Sequence, residues 1–210
     1  MNFGQVLRNL AVCLLLLAPV LAWADFPPVQ ELPNTGLYQA RALGDRRDVA
    51  VIQLSGNYHR DTPGKQPNVE PRAVIAKEFF RTHPDNFDFI VVFSNFEFDT
   101  GEALAFHLGV QNHVKGLGLP EFDNTAYFGS AGKLKGYIDM AALSRYVTNP
   151  YDPGFDQVLQ TFSHEFLHQW GSHVRLKGAG GALNNDLLGR DGSHWSFLLG
   201  SGASLHYGSQ

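Results

Sequence analysis

Only one cysteine occurs among the 210 residues, Cys13. It falls inside an apolar opening stretch, so the chain beyond that stretch can form no internal disulfide and offers no thiol nucleophile or metal thiolate. Any metal ligands must therefore come from His, Asp or Glu. Charge of either sign is also sparse: 16 Lys and Arg against 20 Asp and Glu give a net charge of −4 with no basic cluster. That distribution lacks the electrostatic footprint of a nucleic-acid-binding protein. No serine sits in a G-x-S-x-G element and no P-loop pattern occurs, which leaves serine-hydrolase and nucleotide-binding readings without support. After residue 24 no apolar run is long enough to span a bilayer. No internal repeat of the solenoid or propeller type is present.

The opening stretch has the layout of a secretory signal. Arg8 precedes an apolar run from Leu10 to Leu21, and Ala22-Trp23-Ala24 supplies small residues around one peptide bond. Cleavage after Ala24 is expected, giving a secreted or periplasmic protein that starts at Asp25 with no stable membrane anchor. Residues 25–210 then form one domain, or two subdomains around a cleft; roughly 185 residues suffice for a substantial core.

From Asp25 to about Gly36 the chain is Pro-rich and aperiodic, as an extended lead-in would be. Asp48 to Leu54 is a β-branched apolar run closed by Ser55-Gly56-Asn57 and reads as a buried strand. Glu70 to Thr82 spaces Val74, Ile75 and Phe79 as on a helix, and Pro84 ends it. Phe87 to Ser94 reads as a second core strand, reached by a crossover long enough to make the two strands parallel neighbours. Between Asn95 and Asn149 one or two short strands are expected, with an edge strand near Lys135 to Asp139. The fold class is therefore α+β.

Asp152-Pro153 announces a second helix, expected over 153–170 and stopped by Gly171. Phe155, Leu159, Phe162, Phe166 and Trp170 form its apolar stripe. Advancing about 100° per residue from Phe162 puts His164 near 200° and His168 near 240°, away from that stripe.

His164-Glu165-Phe166-Leu167-His168 is an H-E-x-x-H motif. Side chains four apart lie one helical turn above one another, so both imidazoles can reach a single ion, while Glu165 is rotated aside and is free to take a proton from an activated water. On an ordinary amphipathic helix the same residues would be two surface histidines and a glutamate. This segment resembles the metal-binding helix of the zincin metallopeptidases, and the strand-helix-strand region before it suits their mixed amino-terminal sheet. The resemblance implies a zincin-like fold, zinc as cofactor, a peptide or protein substrate, and hydrolysis of peptide bonds by zinc-bound water with Glu165 as general base. A secreted zinc-binding or scaffolding protein that cleaves nothing is the rival reading. A piece of a longer enzyme is a third.

Catalytic zinc commonly has three protein ligands. The metzincin continuation H-E-x-x-H-x-x-G-x-x-H is met at Gly171, but Val174 stands where the third His belongs and His173 comes one position early. No glutamate follows Glu165, so the gluzincin pattern is absent too. His173, Asp186, Asp191, His194 and His206 remain. His194 is favoured, because the turn-rich Gly189 to Ser196 segment beside Trp195 can return an imidazole to the helix. Each of the others has a plainer reading: His173 at the helix carboxyl end, Asp191 bonding its own turn or orienting a ligand, Asp186 capping a short helix, and His206 lining the site. Tyr207 could serve as donor to a developing oxyanion. His107 and His113 lack helical-pair spacing and read as loop or surface residues.

Overall fold

A computed structural model describes residues 38–58, 61–62, 66–101, 103–189, 192–199 and 206–209, with backbone alone at 61–62, 66–67, 197 and 207–209. The expected signal segment, the Pro-rich lead-in and Asp191 lie outside the described residues.

The described residues open with a hairpin of β1 (Gln39–Arg46) and β2 (Val49–Ser55), antiparallel, its tight turn made possible by Arg47 at φ 58°. A two-residue pair, β3 (Asp61–Thr62) and β4 (Gln66–Pro67), precedes α1 (Val69–Thr82). There follow β5 (Phe89–Ser94), β6 (Phe106–Gly109), the short pair β7 (Gln111–Asn112) and β8 (Phe122–Asp123), and β9 (Gly136–Ala142). Next come α2 (Phe155–Leu167), the hairpin β10 (Leu176–Lys177) and β11 (Leu183–Asn184), and finally β12 (Trp195–Ser196) parallel to β13 (Tyr207–Ser209). The protein is α+β, and among the described residues no helix is long and apolar enough to cross a membrane.

Three strands form the central sheet in the order β5-β9-β6, with β9 parallel to β5 and antiparallel to β6. Every residue of β9 is buried, because helices cover both faces. Tyr137 packs with Ala73, Ala76 and Phe79 of α1. Ile138 and Met140 face the other way, toward Phe162 and Phe166 of α2. The period of two along the strand thus divides the core into two layers.

Two expectations are corrected here. The strand at 49–55 is not a hydrogen-bonded neighbour of the one at 89–94: β2 pairs with β1, a strand that residue pattern does not announce, and the parallel partner of β5 is β9. The segment near Lys135 to Asp139 is not an edge but the middle of the sheet. Asp139 makes that strand look solvent-facing, yet it is wholly buried and neutralised by Arg72, itself fully buried on α1. Arg72 Nε donates to Asp139 Oδ2 at 2.9 Å, the Tyr58 hydroxyl donates to the same oxygen at 2.8 Å, and Oδ1 accepts the Ala141 N–H at 2.9 Å. The guanidinium carbon lies 4.1 Å from the centre of the Tyr58 ring and 4.8 Å from that of Phe106. This buried pair ties α1, β9 and the back of β6 together.

Helix α2 is shorter than expected over 153–170. Asp152 Oδ1 accepts the Gly154 N–H in a turn, so the helix begins at Phe155. After Leu167 the bonds shorten to the three-residue kind, with His168 N–H on the Glu165 carbonyl and Trp170 N–H on that of Leu167. Its buried face is Val158, Thr161 and Glu165. The aromatic stripe lies to one side of that face: Phe166 packs on Phe89 at 4.7 Å between centroids, whereas Leu159 and Trp170 stay more than a third exposed.

Arg72→Met should destabilise the fold by about 3–5 kcal/mol, because the Asp139 carboxylate would remain buried with no counter-charge. The midpoint of urea unfolding measures it, and an unchanged midpoint would show that the pair holds nothing together.

Candidate metal centre

The last turns of α2 and one loop bring three imidazoles together. His164 comes from the helix, His168 from its C-cap, and His194 from the loop before β12, held by the Gly189 N–H on its carbonyl at 2.9 Å. His164 Nε2 is 3.0 Å from His194 Nε2 and 3.2 Å from His168 Nε2. The three donor nitrogens lie within 4.8 Å of one another. For metal–nitrogen bonds of 2.0–2.1 Å and tetrahedral angles, donor atoms should stand roughly 3.3 Å apart, and both separations from His164 Nε2 lie near that value. Burial lowers the pKa of His168 to about 2, helped by the facing His206, His164 and His194 rings, which favours the neutral ring that a metal ligand requires. The group can hold a metal ion.

Two more histidines hold the ligand-bearing turn in place. Because the helix tightens after Leu167, the His164 carbonyl loses its usual partner, and His206 Nε2 donates to it at 2.8 Å. The Ser172 hydroxyl bonds to His206 Nδ1 at 3.0 Å, and the His206 ring stacks on His168 at 4.2 Å between centroids. With both nitrogens engaged, His206 is a brace and not a ligand. Gly171 makes room for it: a Cβ there would come within 2.6 Å of His206 Nδ1. His173 Nε2 donates to the His168 carbonyl at 2.9 Å, the helix-end role expected of it. Asp186 is exposed and stands apart from the cluster, and the Tyr207 side chain lies outside the described residues.

Glu165 faces the sheet. Its carboxylate is buried, and burial raises its pKa to about 7, opposed by a hydrogen bond from the His107 backbone N–H. A carboxylate so placed exchanges protons near neutrality. The Tyr146 hydroxyl donates to the Leu104 carbonyl at 3.2 Å and braces the segment leading into β6.

An open cleft of roughly 780 Å³ runs along these groups, between Ala103 to His107 on one side and Gln157, Thr161 and the three imidazoles on the other. His107 belongs to this site, contrary to the loop or surface role expected for it. It stands on β6 opposite Ile138, so its side chain points to the α2 face of the sheet. Its Nε2 bonds to Gln169 Oε1 at 3.1 Å, and burial lowers its pKa to about 4. Spacing in the sequence gave no sign of this, because the contact is made across 62 residues.

No family model matches the chain, and neither a curated protein nor a solved structure is significantly similar to it.

His206→Leu should weaken binding of a divalent metal ion at the three imidazoles by about 10–100-fold, the usual effect of losing a group that orients a ligand. Competition against a chromophoric chelator reads this directly. An unaltered affinity would mean that the helix end holds its shape unaided.

Proposed function

We propose that this chain is a secreted zinc hydrolase, a metallopeptidase with a zincin-like catalytic domain. One observation carries the reading: three imidazole nitrogens converge at the wall of an open cleft, with a buried carboxylate one residue beyond the first of them. His164, His168 and His194 would hold the zinc. Zinc in that position supplies Lewis acidity, polarising a scissile carbonyl and making water a nucleophile near neutral pH.

The chain's own groups account for the rest. Glu165, anchored by the His107 N–H and with its pKa brought near neutrality, takes the proton from the attacking water and passes it to the leaving amine. The substrate lies along β6, whose one side pairs with β9 and whose other side borders the cleft. β9 itself offers no place for an added peptide strand, since both of its sides are already paired. The Glu165 carboxylate already takes the His107 amide, so an incoming strand would find its bonds at other backbone groups of β6.

Glu165→Gln should retain zinc and lose at least about a hundredfold in kcat, the span of a general base. Digestion of a peptide library, with zinc content measured in parallel, checks both halves. Cleavage by zinc-loaded wild type should vanish with chelator and return with zinc. Zinc retention with no cleavage of any peptide would place the chain instead among secreted zinc-binding scaffolds.

A further inference from the structure

Glu165 uses only the backbone of His107, yet the His107 ring is oriented by a hydrogen-bond chain that fixes which nitrogen carries its proton. Gln169, buried just past the end of α2, donates from Nε2 to the Gln111 carbonyl at 2.9 Å. Its Oε1 can then only accept. The nitrogen facing that oxygen, His107 Nε2, must therefore be the N–H of the ring. In a neutral imidazole the other nitrogen, Nδ1, keeps its lone pair, and among the described residues it has no protein partner.

The arrangement is built into the sheet. A Cβ at Gly136 would stand 2.5 Å from His107 Nε2 and 3.1 Å from Gln169 Oε1. The central strand thus yields its side chain at the one position where the His–Gln pair needs the space. His107 lines the same cleft as the three donors, and its ring centre is 6.5 Å from that of His168.

We propose that His107 is a specificity-determining residue of the cleft, its Nδ1 accepting a hydrogen bond from one backbone N–H of the bound peptide. This rests on the peptidase reading. A peptide offers such a donor at every residue except proline. A substrate with proline or an N-methylated residue at that position would leave a partly buried acceptor without a partner, and sites built to bond a polar group discriminate strongly against ligands that lack it. The cleft therefore selects for a free amide at one position beside the scissile bond.

The test uses zinc-loaded Glu165→Gln protein, which should bind without turnover, titrated calorimetrically with a library-selected peptide and a set of its singly N-methylated forms. One methylation should weaken binding about tenfold or more. Adding His107→Gln, which keeps a donor for Gln169 but offers no acceptor in place of Nδ1, should abolish that position's penalty. Adding His107→Asn instead, whose amide oxygen can occupy the Nδ1 position, should preserve it. Identical methylation profiles with and without His107→Gln would overturn the proposal, as would the absence of peptide binding. Failure of the hydrolase reading looks different: wild type loaded with zinc would leave the same peptides intact while the His107-dependent penalty persists.

Discussion

Three imidazoles can serve one metal ion only if each ring is neutral and turns a lone pair toward it, and crowding at the end of α2 favours the neutral ring at His168. His168 is pressed among His164, His194 and His206, and a charge on its ring would be both desolvated and repelled. The surrounding histidines work the other way round. His206, His173 and His107 each direct Nε2 to an oxygen, of His164, His168 and Gln169 respectively, so their protons are committed to bracing. One residue type thus does two jobs, sorted by whether Nε2 faces an oxygen or another Nε2.

The sheet sets the distances over which this works. β9 is sealed between two helices and cannot shift without opening one core layer or the other. β6 hangs on β9 and brings the His107 N–H to Glu165. Behind β6, the Arg72–Asp139 pair and the Phe106 and Tyr58 rings that face the guanidinium fill the space toward α1. The orientation of the candidate proton carrier is thereby a property of the central layers more than of its own helix.

Local pattern made a good part of this legible. α1 and β5 lie within two residues of where periodicity and Pro84 put them, and the spacing of His164 and His168 held because four residues make nearly one turn whatever the helix ends do. The lack of thiols and later glutamates left five candidates for a third donor, and the turn-rich segment beside Trp195 favoured His194 among them. Pairing was not legible. A run of alternating residues does not say which strand it will lie beside, and Asp139 masked a central strand as an edge one because its partner Arg72 is 67 residues away. His107 is illegible for the same reason, its meaning residing in contacts to Glu165 on a distant helix and to Gln169 just beyond it. The braces at His206 and Gly171 follow from a helix that tightens at its end, which composition does not announce.

His164 and His194 lie 30 residues apart in the chain, and that separation gives the donor cluster a mechanical side. An ion bound there would cross-link the helix to the closing segment much as a disulfide would, in a protein whose described part has no sulfur bridge to offer. Since the three nitrogens are gathered only in the folded chain, every increment of ion affinity would also be an increment of resistance to unfolding. Loss of the ion to a competing chelator would then loosen the carboxyl-terminal layer first, leaving the α1 side of the sheet with its own buried salt bridge and aromatic packing to stand on.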